Sequence, residues 1–157
     1  MRIDAHQHYW QLARGDYGWL TPEAGLLYKD YLPSQLAPLL QQQGITKSIV
    51  VQAAPTIEET EFLLELCHQE ASLAGVVGWL DLESEQFEKQ LRGLMLHPYF
   101  LGLRPNLKIG GPKGLTVNQK VMQSLMLMAK LNVPLDLLIV PEHLAEMIEV
   151  LEQIPHL

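Results

Sequence analysis

The sequence predicts an α/β chain of about five strand-then-helix units on a parallel sheet. Three observations carry this expectation. Short apolar runs recur along the chain, and each is followed by a stretch with helical spacing. One run, residues 48–53 (SIVVQA), is nearly continuous and β-branched, which marks a strand buried on both faces. The connections between runs are long enough to force parallel pairing with right-handed crossovers. Two architectures satisfy that order: an open doubly wound sheet, or five-eighths of a (β/α)8 barrel, which typically needs ~250 residues. The 157 residues can bury one sizeable core, so residues 1–157 are expected to form a single domain.

The first strand begins at Ile3 and carries Asp4, His6 and His8 at alternate positions, so these three are expected on one face. A long irregular region follows, with Gly15, Gly18, Pro22 and Gly25 set among Tyr17, Trp19, Tyr28 and Tyr31. It is too aromatic for disorder, and either walls a pocket beside the histidines or is anchored by its own rings. Leu32-Pro33-Ser34 opens a helix with Leu36, Leu39 and Leu40 inward, and Gly44 stops it. After the second strand, Thr56 with Glu59 three residues on reads as a capping box. Phe62, Leu63, Leu66 and Cys67 continue that helix's apolar stripe.

Residues 74–80 (AGVVGWL) form the third expected strand. Ser84 then caps a helix carrying Phe87, Leu91, Leu94 and Met95, which Pro98 ends. Residues 101–106 (LGLRPN) form the fourth strand, with Arg104 near its end. Gly110, Gly111 and Gly114 lie in a plain loop, since no P-loop frame surrounds them. Residues 117–130 are helical, with Val121, Leu125, Met128 and Ala129 inward and Met122, Met126 and Met128 as core filler. A fifth strand is expected over 134–140, where Asp136 needs a partner or an exposed position. The last helix runs from about 143 to 153.

Bulk properties exclude several classes. A net charge of −7 with no Lys/Arg run disfavours nucleic acid. Cys67 is the only cysteine, expected as a small buried apolar residue, and no intrachain disulfide can form. No stretch is long enough to span a membrane and the start has no signal-like apolar core, so a cytoplasmic location is the expectation.

The candidate site lies at the strand ends. His6 and His8, at i and i+2, can converge on one ion or one oxygen; imidazole suits zinc and other first-row metals, although two ligands are only half a site. An ordinary packed or solvated histidine pair is the alternative, but the end of a first strand is where α/β folds place their chemistry. Gln52, Trp79 and Arg104 fall at comparable places on the next three strands, and Arg104 offers a planar fork suited to a carboxylate.

The segments 3–10 (IDAHQHYW), 50–53 (VVQA), 74–82 (AGVVGWLDL), 101–104 (LGLR) and 135–138 (LDLL), in this order and spacing, resemble the amidohydrolase-related sugar-acid lactonases. That family includes L-fuconolactonase, L-rhamnono-1,4-lactonase and 2-pyrone-4,6-dicarboxylate lactonase. The resemblance implies a distorted TIM barrel of the metal-dependent-hydrolase type that opens a lactone ring by hydrolysis, here represented by its amino-terminal five or so βα units. It implies catalytic roles for His6, His8 and Arg104, and substrate contacts from Gln52, Trp79, Arg104 and Trp10. It also implies one divalent metal, zinc for preference, on His6 and His8, not required in all relatives.

The family's pattern continues with an Asp-His-x-Ala-Lys-Pro segment and a last-strand aspartate that moves the proton. Neither occurs in residues 1–157, and Asp136 does not match that aspartate. The chain alone is therefore expected to be an incomplete lactonase. A split enzyme completed by a partner chain or by self-association, and a non-catalytic α/β binding module, are the alternatives.

Overall fold

The computed structural model describes residues 2–107 and 117–157. The sheet comprises β1 (Ile3–Gln7), β2 (Lys47–Val51), β3 (Leu73–Gly78) and β4 (Phe100–Leu103), all parallel and in the order β1-β2-β3-β4. That order decides between the two architectures left open by the sequence. A doubly wound sheet reverses its strand order at a switch point, whereas a barrel adds each strand beside the last. Right-handed crossovers in strictly sequential order put every helix on the same face. The described residues are thus a four-stranded parallel arc of a (β/α)8 barrel.

The expected fifth strand is reduced to a single bridge between Leu103 and Leu135. Leu103 N donates to Pro134 O at 3.0 Å and Asp136 N to Leu103 O at 2.9 Å. The cause is local: β4 ends at Leu103, so it offers no further partner, and Pro134 brings no N–H of its own. The close approach relies on Gly102, where a Cβ would lie 2.6 Å from Pro134 O.

The helices are α1 (Pro33–Gln42), α2 (Ile57–Gln69), α3 (Phe87–Leu94), α4 (Gln119–Lys130) and α5 (Leu144–Glu152). Helix α1 starts with Pro33 at its first position, where a missing N–H costs nothing, and Leu32 N donates to Gln35 Oε1 at 2.7 Å. Gly44, at φ 68°, turns the chain out of it. Thr56 caps α2 as expected, its hydroxyl accepting Glu59 N–H at 3.2 Å. Glu59 does not complete the capping box, however. Its carboxylate goes instead to Ala53 N, at 2.9 and 3.1 Å from the two oxygens. Ser84 accepts from Gln86 N just ahead of α3, and Asn118 caps α4 through Val121 N.

The core lies between the sheet and α2 to α5. Leu63, Val76, Leu91, Leu103, Leu125 and Met147 are fully buried there, each such side chain stabilising by roughly 1.5–3 kcal/mol. Cys67 is buried in it with no disulfide. Of the expected core positions, Leu36, Phe62, Leu66, Met122 and Ala129 are partly buried and three are exposed. Leu39, Met95 and Met126 are exposed, because each lies off the stripe its helix presents to the sheet. Met126 is therefore not filler, whereas Met128 is.

A smaller cluster, Trp10, Tyr17, Leu20 and Ala54, anchors the region between β1 and α1. Trp10 and Tyr31 exchange both backbone hydrogen bonds, and Trp19 Nε1 donates to Ala53 O. The rings fasten the region to the sheet end, as one of the two sequence readings had it. Among the described residues no helix is long and apolar enough to cross a membrane. The glycine-containing loop expected at 110–114 lies outside the described residues.

Candidate active site

Strand β1 delivers the histidines, although not with the simple alternation its sequence suggests. Asp4 pairs with Ser48 and Gln7 with Val50, so three steps of β1 match two of β2. That bulge shifts the phase between Asp4 and the rest. Asp4 binds Gln7 Nε2 at 2.6 Å and His6 N at 3.1 Å, and does not join the histidine rings. His6 and His8 do converge: their Nε2 atoms are 3.1 Å apart and the rings meet edge to face, 4.8 Å between centroids.

The tautomer of His8 follows from its other nitrogen. Nδ1 lies 2.8 Å from Val51 O, a pure acceptor, so Nδ1 carries the proton and Nε2 presents its lone pair. Burial lowers the pKa of His8, and the neighbouring Arg104 and His6 charges act in the same direction against the Val51 hydrogen bond. The ring is therefore neutral at pH 7.

Arg104, at the carboxyl end of β4, is buried and reaches the same point, with Nη1 3.4 Å from His6 Nε2. It is held from both ends. Its Nη2 donates to Gln52 O, its backbone N donates to Gly78 O at 2.8 Å, and its backbone O accepts Gln52 Nε2 at 2.8 Å. Gln52 Nε2 also reaches Asn106 Oδ1 at 3.1 Å. Burial lowers the guanidinium's pKa, while Asp136 and Glu59 favour its charge. Arg104 Nε is buried without a hydrogen-bond partner.

The structure brings together His6, His8, Arg104 and Gln52, and distributes the other expected site residues elsewhere. Gln52 is almost wholly buried and its amide is taken up by Arg104 O and Asn106, so it braces the arginine. Trp79 is half-buried, its Nε1–H unpartnered, and its backbone is clasped by Thr60 Oγ1, which accepts Trp79 N–H at 2.8 Å and donates to Trp79 O at 3.2 Å. Trp10 is buried in the smaller cluster; Nε1 donates to Lys29 O, and its ring contacts are Trp19 and Tyr31, not the histidines.

Three contributors carried no role in the sequence reading. Asn106 and the Val51 carbonyl act through geometry that no motif announces. Glu59 was legible only as a helix-start acid, yet it is fully buried and holds the turn directly after Gln52.

For a divalent metal, the donors fit in part. Two nitrogens each ~2.0–2.1 Å from a tetrahedral zinc lie about 3.3 Å apart, close to the spacing of the His6 and His8 pair. The His8 Nδ1–H bond to a backbone carbonyl is the usual support of a ligating imidazole. A third ligand is missing: among the described residues no group of three His, Cys, Asp or Glu side chains could hold an ion.

The amidohydrolase family model matches residues 3–157, nearly the whole sequence. The chain belongs to the amidohydrolase family. Within the family it is 33% identical over 156 residues to the L-fucono-1,5-lactonase of Burkholderia ambifaria, covering 99% of this chain and 54% of that protein. It is 46% identical over 91 residues to the L-fucono-1,5-lactonase of Burkholderia multivorans, covering 58% of this chain and 31% of that one. The crystal structure of an amidohydrolase from Burkholderia multivorans with bound zinc superposes with a TM-score of 0.84 at 30% identity, over 98% of this chain and 54% of that one. This amidohydrolase chain thus spans about half the length of the relatives it matches.

Proposed function

We propose that residues 1–157 form the amino-terminal portion of a barrel hydrolase that opens a sugar-acid lactone ring, an activity the chain supports only when the rest of the barrel is supplied. The observation that carries this reading is the convergence of His6, His8 and Arg104 at the carboxyl ends of β1 and β4, in a chain similar along nearly its whole length to L-fucono-1,5-lactonase.

In this reading the lactone lies across the mouth of the arc. The neutral Nε2 of His8 orients the attacking water. His6 and Arg104 Nη1 face the carbonyl oxygen, where negative charge develops as water adds. Arg104 also fits the carboxylate that ring opening releases. Gln52 keeps the guanidinium aimed, and Trp79, half-buried at the end of β3, offers ring surface to the sugar. Trp10 contributes from behind, by fixing the wall between β1 and α1. The group that takes the proton from water and returns it to the ring oxygen belongs, by the family resemblance, to a later strand than any in this sequence. A divalent ion such as zinc, when held by His6, His8 and a ligand from outside the described residues, would supply further polarisation of the carbonyl. A cytoplasmic location accords with an intermediary of sugar metabolism.

Leu138, Val140, Leu144 and Ile148 are 41–54% exposed, an apolar face suited to being covered by the remaining part of a barrel. The test is an assay of L-fucono-1,5-lactone hydrolysis by this chain alone and mixed with the carboxyl-terminal half of the Burkholderia ambifaria enzyme. Activity is expected only on mixing, and is lost with Arg104→Met. Turnover well above buffer by the isolated chain would refute the incomplete-site reading. No turnover on mixing, although a complex forms, would favour the non-catalytic binding module.

A further inference from the structure

Three consecutive carbonyls at the end of β2 each hold one side chain. Val51 O accepts His8 Nδ1–H at 2.8 Å, Gln52 O accepts from the Arg104 guanidinium, and Ala53 O accepts Trp19 Nε1–H at 2.9 Å. Two steps of chain span at most about 7 Å, so Trp19 is fastened beside the groups already placed in the candidate site. In the sequence Trp19 is one ring among several between β1 and α1, with no motif to set it apart.

The indole is fixed and yet uncovered. Its one polar group is spent on Ala53 O, and Ala53 N–H is held in turn by the Glu59 carboxylate. Trp10 meets the Trp19 ring edge to face, with 5.4 Å between centroids and 81° between planes. Trp10 is itself buried, donates Nε1–H to Lys29 O at 2.9 Å and exchanges both backbone hydrogen bonds with Tyr31. With all these anchors Trp19 remains 45% exposed, although tryptophan is highly buried on average. Its N–H is satisfied inward, so the ring offers carbon surface to an incoming molecule. A side chain already held in one orientation loses little further entropy when a ligand settles on it.

The chemistry of that surface selects the ligand. An aromatic face carries the negative side of its quadrupole, and it has no donor or acceptor to give. It therefore attracts the weakly positive C–H bonds on one face of a sugar ring, and does little for a bare carboxylate. We propose that Trp19 is the stacking platform for the sugar ring of the lactone, and sets the plane of that ring against His8 and Arg104. This rests on the sugar-lactone reading for its ligand, and names the residue that recognises the ring rather than the reacting group.

The test titrates L-fuconate, the open-chain acid, into the full chain, alone and mixed with the carboxyl-terminal half of the Burkholderia ambifaria enzyme. The Trp19 indole N–H cross-peak, one of three in the protein and assigned by its loss in Trp19→Phe, is expected to shift saturably. The Kd, read from ligand protons by saturation transfer, should rise about fivefold or more in Trp19→Leu but less than about twofold in Trp19→Phe, which keeps a stacking ring and loses the bond to Ala53 O. Equal losses in both variants would mean that Trp19 acts only through that bond, and would overturn the proposal. Absence of a saturable shift in the wild type overturns it without recourse to any variant, so the test stands even if Trp19→Leu unfolds. In the mixed halves, Trp19→Leu should raise KM for L-fucono-1,5-lactone about fivefold or more and change kcat by less than about twofold. Hydrolysis with unchanged KM removes the platform and leaves the lactone reading standing. Ring-dependent binding of L-fuconate with no hydrolysis on mixing does the reverse: it supports the platform and counts against the lactone reading.

Discussion

Replacing Glu59 with glutamine should remove a pH dependence of stability that a single buried carboxyl creates. Glu59 is fully buried at the start of α2, and both oxygens receive Ala53 N–H. Burial pushes its pKa up from 4.5 to about 7, and the Asp16 charge adds to this. The Ala54 and Ala53 amides and the Arg14 charge pull the other way. The folded protein therefore keeps a proton that the unfolded chain has already lost between pH 4.5 and about 7. Stability from this group is fully present below pH 4.5, falls as pH rises, and levels off above about 7.

The span corresponds to roughly 3 kcal/mol at 1.36 kcal/mol per pH unit. For a chain of 157 residues that is a Tm change of about 6–12 °C. Glutamine has the same shape and does not titrate, so the difference in Tm between wild type and Glu59→Gln isolates the term. Thermal melts at constant ionic strength from pH 4 to 8 should show the wild type losing about 6–12 °C relative to the variant. A flat difference would refute the reasoning. A difference of opposite sign would mean that the backbone amides and Arg14 outweigh burial, and that the ionised form is the native one.

Other consequences are read the same way. Gln52→Leu should cost about 1–3 kcal/mol in denaturant melts, because it strands the buried Arg104 O, while the exposed Asn106 can turn to water. In the complemented enzyme it should also lower kcat more than it raises KM, since it loosens an aimed guanidinium; an unchanged kcat would count against a positioning role. Gly102→Ala should destabilise by about 1–3 kcal/mol, because the new Cβ meets Pro134 O. Hydrogen exchange should then show Asp136 N–H released from Leu103 O. Thr60→Val should cost about 1–3 kcal/mol by removing the clasp on Trp79, and a change below 0.5 kcal/mol would mean that water replaces it. Leu144→Glu with Ile148→Lys should abolish concentration-dependent association in sedimentation velocity, if the exposed face near α5 meets a second copy.

The sequence alone determined the alternation of strand and helix, most helix starts, and the places of His6, His8 and Arg104 at strand ends. Those features are written in short-range terms: hydrophobic period, Thr56 and Gly44 as punctuation, and a motif at the chain's beginning. Tertiary structure decided what depends on partners distant in sequence. Sequential pairing of parallel strands chose the barrel arc over the doubly wound sheet. The run from 134 became a single bridge partly through its own Pro134 and partly because β4 ends at Leu103, a fact about its neighbour. Phase slipped in β1 because the bulge is defined only against β2, which took Asp4 away from the histidines. Gln52 changed meaning for the same reason: whether its amide serves a substrate or a buried arginine is fixed only when residues some 50 positions apart are brought within 3 Å. Glu59 was drawn from the helix cap by Ala53, only six positions away, through the turn between β2 and α2. Composition specifies which groups must be satisfied, and the packed fold specifies by whom.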